Sequence, residues 1–128
     1  MSIKVAKFGG TSLADAEQFR KVRAIIEADR SRRYIVPSAP GKRHPQDHKI
    51  TDLLYQCHDL AQQGHPFEDI FSLIAGRYLG IIRDLGLNLD LTPALEEIRN
   101  RIAAGASADY TASRGEYLNG LILAAYLG

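Results

Sequence analysis

The chain has 128 residues, a length that suits one small domain with a buried core. Its 45 % hydrophobic and 24 % charged residues are average values for soluble globular proteins, which argues against general disorder. The formal net charge is +1 with basic and acidic residues interspersed, and this excludes the extended basic field that nucleic-acid binding needs.

The first element is a predicted strand over residues 3–8, an apolar run that Gly9-Gly10 closes as a turn. Thr11 or Ser12 is then expected to cap a helix over residues 13–28. The apolar positions that share one face of this helix are Phe19, Val22, Ile25 and Ile26.

A second strand is predicted at residues 34–36, where Pro37 ends it. Strand, helix and strand in this length form a βαβ unit, so the two strands should be parallel. Residues 42–49 show no periodicity and predict a loop.

The rest of the chain predicts helices. The first covers residues 50–63, and the second extends from Pro66, in its first turn, to about Leu85. Gly76 and Gly80 weaken the case for an unbroken second helix.

Thr92-Pro93 predicts the cap and first turn of another helix, and Gly105 predicts its end. Residues 106–110 are expected to be a connection, before a last amphipathic helix over residues 112–127. Two strands and about five helices describe a lopsided α/β domain, since two parallel strands are too few for a stable sheet. Other segments or chains should therefore complete it.

Cysteine content and hydropathy indicate a cytoplasmic protein. Cys57 is a single cysteine that cannot form an internal disulfide, and its helical, apolar surroundings favour a buried, unreactive thiol. No apolar run approaches the roughly 18 to 20 residues that cross a bilayer, and no apolar signal core precedes the first strand. We therefore expect no membrane partner and no nucleic-acid partner.

The turn Lys7–Ser12 is the first candidate site. Glycines let backbone N–H groups approach an anion, and Lys7 supplies a charge that can follow a phosphoryl group. The spacing is neither that of a Walker A loop nor GxGxxG. An ordinary tight turn with a helix cap explains the same residues.

Two further candidates follow the second strand. Residues 38–41 form a small-residue turn at the carboxyl edge of the sheet, where open parallel sheets bind ligands, although a plain strand exit needs the same residues. Thr51, at the start of a helix, can cap that helix or offer its hydroxyl to a ligand.

The last candidate is Ser113-Arg114-Gly115-Glu116, predicted to open the final helix. A glutamate in a first turn is favoured by the helix dipole, and Glu116 could equally bind a substrate ammonium group. Arg114 could pair with an acid or be solvated. The histidines do not show a metal-ligand spacing, so we expect no metal bound by protein ligands; they are His44, His48, His58 and His65.

Taken together, these motifs resemble the aspartate kinases of the amino acid kinase family. Lys7–Ser12 matches K-F-G-G-T-S in full, and Ser38–Gly41 matches V-S-A-x-G except that Pro37 replaces its first residue. Thr51–Leu54 matches T-D-x-L, and Ser113–Glu116 matches S-x-G-E. The four motifs occur in family order over nearly the whole chain. The resemblance implies an amino acid kinase-like αβα sandwich, here its helix-rich amino-terminal part with a few parallel strands.

The family's activity is transfer of the ATP γ-phosphoryl group to the aspartate β-carboxylate, the first step toward lysine, threonine and methionine. By resemblance, Lys7 is the catalytic residue that stabilises phosphoryl charge. Ser38 and Thr51 would contact aspartate, and Glu116 would bind its ammonium group. The residues implied in ATP binding are Lys7, Phe8, Gly9, Gly10, Thr11 and Ser12. Mg²⁺ would be held by the nucleotide phosphates and water.

The resemblance also sets expectations about what surrounds these 128 residues. The motifs of the nucleotide-binding half and of the regulatory ACT domains do not occur in them, so we expect a fragment that is inactive alone. The full-length form is expected to be a homo-oligomer. Two alternatives remain: a non-catalytic binding or assembly module of the same fold, and a kinase for another acidic amino acid.

Overall fold

The computed structural model describes residues 3–128, and the chain is helix-rich over that range. Two strands come first, with a short 3₁₀ turn and one helix between them, and four helices follow. In chain order the elements are strand β1 (Lys4–Phe8), the 3₁₀ turn (Gly10–Leu13), helix α1 (Ala16–Ala28), strand β2 (Arg32–Pro37), and helices α2 (Ile50–Gln62), α3 (Glu68–Leu85), α4 (Thr92–Ala103) and α5 (Ala108–Leu127).

Strands β1 and β2 are parallel, as the βαβ pattern predicts. One face of this sheet packs on the core through Phe8, with Ala6 and Ile35 partly buried. The opposite face, which we term the bare sheet face, exposes Val5, Tyr34 and Val36 by 67 %, 61 % and 44 %. Parallel sheets are normally covered on both faces. Within residues 3–128, this sheet is therefore covered on one side only.

The core lies among the helices. Helix α2 packs against both α3 and α5, and α4 packs against α2 and α5. The largest side chains with almost no exposure include Tyr78, Phe19, Leu13, Ile50, Leu54, Ile74, Leu118 and Ile122. Cys57 is fully buried in this core, as predicted, and burial raises the pKa of its thiol to about 11.

Helix α1 begins later than the sequence predicts. Thr11 and Ser12 do not cap it, because they lie in the preceding 3₁₀ turn. The cap is Asp15, whose Oδ1 accepts a hydrogen bond of 3.0 Å from the backbone N–H of Gln18. Ile25, predicted on the buried face, is 47 % exposed.

Helix α5 begins earlier than predicted, at Ala108. The Oγ of Ser107 caps it by accepting a hydrogen bond of 3.1 Å from Tyr110 N–H, so residues 108–110 are helical and not a connection. Glu116 consequently lies in the interior of a long helix and not in its first turn. The helix dipole, which acts within the first turn, does not explain its presence.

The remaining boundaries are close to the predicted ones. Gly64 and Gly105 follow helix ends in the left-handed region, with φ of 74° and 95°. Helix α3 is unbroken through its glycines but starts at Glu68, so Pro66 lies before it. Leu91 occupies the cap position of α4, because Thr92 is already helical.

Candidate functional site

A cavity of about 330 Å³ lies at the carboxyl ends of β1 and β2. It collects residues from all four sequence motifs, which lie far apart in the chain. The residues that line it are Gly10, Thr11, Ser38, Ala39, Pro40, Gly41, Lys49, Thr51 and Glu116. This is the sheet edge at which open α/β folds bind their ligands.

The floor of the cavity consists of two segments in backbone contact: the 3₁₀ turn at Gly10–Leu13 and the segment 38–41 after β2, which we term the second turn. Ser38 donates its N–H to the carbonyl of Phe8 over 3.1 Å, and Gly41 donates to the carbonyl of Gly10 over 2.8 Å. A Cβ on Gly41 would lie 2.7 Å from the carbonyl carbon of Gly10 and 2.8 Å from the nitrogen of Thr11. Only glycine therefore fits at position 41 with the turns this close.

Helix α2 brings Thr51 to the cavity. Ile50, fully buried, donates its N–H to the carbonyl of Pro40 over 3.1 Å and ties the helix start to the second turn. Lys49 occupies the cap position, and Thr51 is the second helical residue. The capping alternative for Thr51 is therefore wrong. Within residues 3–128 its hydroxyl has no hydrogen-bond partner, which leaves the group available at the cavity wall.

Helix α5 carries Glu116 and approaches the second turn very closely. A Cβ on Gly115 would lie 2.8 Å from the Cβ of Ala39, so a larger residue would push the helix away. The buried Tyr78 hydroxyl donates to the carbonyl of Gly115 over 2.8 Å. Asn119 Nδ2 donates to the carbonyl of Ser38 over 2.7 Å. These contacts fix the helix segment that bears Glu116 beside Ser38.

A buried arginine, Arg77 of α3, supports the site from behind. Its Nη1 donates to the carbonyl oxygens of Gly41 at 2.7 Å and Ala14 at 3.3 Å. Its Nη2 donates to Asp47 Oδ2 at 2.7 Å and to the carbonyl of His48 at 2.9 Å. One side chain thus connects the end of the 3₁₀ turn, the second turn and the following loop.

Asp47 completes this network. The Arg43 guanidinium donates to Oδ2 at 2.6 Å and to Oδ1 at 2.9 Å, and Oδ2 also accepts the hydrogen bond from Arg77. The hydrogen bonds from Arg43, with the positive charge of Arg77, hold the pKa of the Asp47 carboxyl well below its usual range. Burial lowers the pKa of Arg77, which nevertheless stays protonated at neutral pH.

Sequence reasoning missed Arg77 and Lys49. A signal for Arg77 exists: it lies three residues after Ile74 and four before Ile81, on the buried face of α3. A cation at such a position must be paired. Lys49 lies two residues before Thr51, but only the folded chain brings it to the cavity wall.

Some predicted site residues lie outside the cavity lining. Phe8 is a core side chain, 9 % exposed, and Gly9 and Ser12 are part of the turn without lining the cavity. Lys7 is exposed and lies beside Val36, its register partner, on the bare sheet face.

Ser113 and Arg114 also lie outside the cavity lining, although they belong to the same motif as Glu116. The hydroxyl of Ser113 donates to the carbonyl of Tyr110 over 2.6 Å. The Arg114 guanidinium lies over the rings of Tyr110 and Tyr117, at 4.8 and 4.7 Å from their centroids. Its Nε and Nη2 also donate to the Ser113 hydroxyl, at 3.1 and 3.0 Å. Within the described residues Arg114 is therefore held by groups on its own helix and not by an acid.

Residues 3–128 contain neither a metal-binding cluster of side chains nor a membrane-spanning helix. No group of three or more histidine, cysteine, aspartate or glutamate side chains is placed to hold a metal ion. Across the described part of the chain, no helix is long and apolar enough to span a bilayer.

Comparison with known proteins agrees with the motif pattern. Aspartokinase 3 of Bacillus subtilis (strain 168) is 32 % identical over 130 aligned residues, covering 97 % of this chain. The crystal structure of the Clostridium acetobutylicum aspartate kinase matches 99 % of the chain with a TM-score of 0.95 and 55 % identity. This chain matches part of an aspartate kinase. The resemblance and the α/β, amino acid kinase-like fold class are both confirmed.

A third relative shows what an aspartate kinase binds. E. coli aspartokinase III, solved in complex with aspartate and ADP, matches 98 % of this chain with a TM-score of 0.77 and 27 % identity. The chain spans only about 29 % of the length of each of these three aspartate kinases. No model of a protein family matches it.

Proposed function

We propose that this chain forms the aspartate-binding and phosphate-facing side of an aspartate kinase, and that it corresponds to the amino-terminal part of the catalytic domain. The observation that carries the proposal is the shared cavity. Ser38, Thr51 and Glu116 line it together with the Gly10 turn, although these residues are widely separated in sequence.

The reaction suits such a site because the nucleophile needs no base. The β-carboxylate of aspartate, with an ordinary pKa of about 3.9, is already ionised at neutral pH. One of its oxygens attacks the γ-phosphorus, the bond from that phosphorus to ADP breaks, and ADP leaves with the electron pair. The protein must align the groups and neutralise charge.

The residue roles follow from charge and donor type. Glu116 binds the substrate ammonium group, and the hydroxyls of Ser38 and Thr51 donate to a substrate carboxylate. The turn at Gly10 faces the phosphates, and Lys7 stabilises the charge on the transferring phosphoryl group. Lys7 lies outside the cavity lining, three residues before Gly10 in the sequence, and its role is proposed from the family motif.

The nucleotide is proposed as a substrate in its Mg²⁺ complex, in which phosphates and water hold the ion. The donor set fits an anion: Gly10 and Thr11 begin a 3₁₀ turn whose first N–H groups have no partner within the turn. A Cβ built on Gly9 would meet nothing within 4 Å, so the turn is open on that side. ADP in the E. coli relative supports nucleotide use.

The wider role is proposed from the family. We assign the chain to amino-acid biosynthesis leading to lysine, threonine and methionine, in the cytoplasm and as part of a homo-oligomer. Aspartate turnover is proposed only for the whole enzyme, since the chain spans about 29 % of such relatives. The 128-residue chain alone is expected to bind aspartate weakly and to release negligible ADP.

The test is an NMR titration of the chain with aspartate, comparing the unmodified protein with Glu116→Gln. Loss of the carboxylate should weaken aspartate binding about tenfold or more, because the ammonium group loses a charged partner. Glu96→Gln, at an exposed position on α4, is the matched control and should bind normally. Glutamate, run as a competitor, tests the alternative substrate.

Succinate, which lacks the ammonium group, should bind Glu116→Gln at least as well as the unmodified chain, because it offers Glu116 no cation and like charges repel. The proposal is wrong if aspartate causes no saturable shifts, or if Glu116→Gln binds aspartate as the unmodified chain does.

A second candidate is a non-catalytic assembly role, favoured by the bare sheet face. Val5, Tyr34 and Val36 form an exposed apolar surface on an unfinished sheet, which invites association. Light scattering that shows concentration-dependent oligomers, together with no aspartate binding, would favour this role over the kinase.

A further inference from the structure

Two opposite charges line the cavity without neutralising each other. Lys49 and Glu116 both belong to its wall, Lys49 at the start of α2 and Glu116 inside α5. Among residues 3–128, the Arg33 side chain apart, neither side chain forms an ion pair within 4.0 Å, with the other or with any third residue. The cavity therefore has a positive and a negative side.

The carboxylate nearest to Lys49 in sequence is already occupied. Asp47 accepts hydrogen bonds from Arg43 and Arg77, so it is not available to pair with the lysine. The residue after Lys49 is fixed in place, since Ile50 is fully buried and donates its N–H to the carbonyl of Pro40. Lys49 thus lines the cavity as an exposed residue, and its ammonium has no ion-pair partner among the side chains that the structure describes.

We infer that Lys49 binds a carboxylate of the amino-acid substrate while Glu116 binds the ammonium group. The inference rests on the proposed function and adds a specificity-determining residue to it. Aspartate carries one ammonium and two carboxylate groups, so it can bridge the two sides of the cavity. A purely cationic metabolite would leave Lys49 uncompensated, and one without charged groups would leave both residues uncompensated, which lowers its affinity relative to a zwitterion.

The experiment uses NMR titrations at constant ionic strength with the unmodified chain and three variants. Lys49→Met removes the charge and keeps the length, and Lys49→Arg restores a cation. Lys42→Met is the matched control, because Lys42 is exposed in the same loop and outside the cavity lining. Circular dichroism verifies that every variant is folded. The ligands are aspartate, asparagine and β-alanine, of which the last two each lack one carboxylate.

Lys49→Met should weaken aspartate binding about tenfold, the effect of losing one charged hydrogen-bond partner. Lys49→Arg should recover most of the affinity, and Lys42→Met should change it less than about twofold. The loss in Lys49→Met should also disappear for whichever of asparagine or β-alanine lacks the carboxylate that Lys49 binds. That coupling separates direct binding from a general change in structure.

Two results would overturn the inference. If Lys49→Met bound aspartate with unchanged affinity while Glu116→Gln bound it more weakly, Lys49 would have no part in binding the substrate. The proposed function would still hold. An equal loss for all three ligands would show that Lys49 acts through the fold and not on a carboxylate. If the unmodified chain bound no aspartate at all, the proposed function would be contradicted, and the role of Lys49 would be contradicted with it.

Discussion

Gly41 donates its backbone N–H to the carbonyl oxygen of Gly10 over 2.8 Å, and this bond joins the two turns that form the cavity floor. Because a Cβ at position 41 would lie 2.7 Å from the carbonyl carbon of Gly10, the turns in Gly41→Ala must separate. We expect a loss of about 1 to 3 kcal/mol in the free energy of unfolding, as for other overpacked sites. Urea denaturation measures it.

The matched control is Gly76→Ala in α3, where a Cβ would meet nothing within 4 Å. There alanine should raise the free energy of unfolding by up to about 1 kcal/mol through helix propensity. Equal stability of the two variants would contradict the close contact between the turns.

Gly115 allows α5 to approach the second turn, and Gly115→Ala should separate them. The new Cβ would lie 2.8 Å from the Cβ of Ala39, which outweighs the gain in helix propensity of about 1 kcal/mol. We expect a net loss of about 1 kcal/mol in the free energy of unfolding. The double variant Ala39→Gly/Gly115→Ala removes the clash, so its loss should be smaller than the sum of the two single losses. Strict additivity would show that the contact is not the cause.

Arg77→Met tests the network behind the site. The substitution leaves the carbonyls of Ala14, Gly41 and His48 without their buried donor. We expect the free energy of unfolding to fall by about 3 to 5 kcal/mol, the usual cost of removing one partner from a buried ion pair. Urea denaturation gives the value. Arg83→Met, on the same helix but with a side chain 78 % exposed, should change it by less than about 0.5 kcal/mol.

The order of the elements could be predicted from the sequence because it depends on local signals. The predicted starts of α1 and α5 are less accurate than the order of the elements. Asp15 and Ser107 compete as caps with neighbouring polar residues, and only the folded backbone decides between them. Gly115 illustrates the limit for the site. Its motif is visible in the sequence, but the reason for glycine at this position is a contact between distant segments. A Cβ there would lie 2.8 Å from the Cβ of Ala39.

We expect the free energy of unfolding to decrease in acid as Asp47 becomes protonated. Its pKa is lowered in the folded chain, first by hydrogen bonds from Arg43, so its contribution is fully present above the unfolded pKa of about 3.9. That contribution is lost as the pH falls from there toward the folded pKa, because the unfolded chain then binds the proton more readily. Urea midpoints measured from pH 7 to pH 2 should therefore decline below about pH 4 to 5.

Asp47→Asn should be less stable at pH 7 and should show a shallower acid decline. Asp29 is the comparison, since its pKa is also lowered, first by its hydrogen bond from Lys4, but at an exposed site. The part of the decline removed by Asp29→Asn should shrink in high salt, whereas the part removed by Asp47→Asn should persist. A decline unchanged in Asp47→Asn would contradict the assignment.

Substitutions at Thr51 and Thr111 distinguish an effect on ligand binding from an effect on stability. Thr51 is half-buried at the cavity wall and its hydroxyl has no partner within the described residues, so Thr51→Val should leave the free energy of unfolding within about 0.5 kcal/mol. Thr111 is fully buried and donates to the carbonyl of Ser107 over 2.9 Å, so Thr111→Val should cost about 1 kcal/mol. Urea denaturation measures both values.

Aspartate binding should respond in the opposite order. Thr51→Val removes a hydroxyl that faces the substrate and should weaken aspartate binding several-fold, roughly the effect of one neutral hydrogen bond. Thr111→Val should bind aspartate as the unmodified chain does, because its hydroxyl lies inside α5 and away from the cavity lining. NMR titration measures both affinities. If Thr51→Val lost stability and kept its affinity, the hydroxyl would have a structural partner in solution and no part in the substrate site.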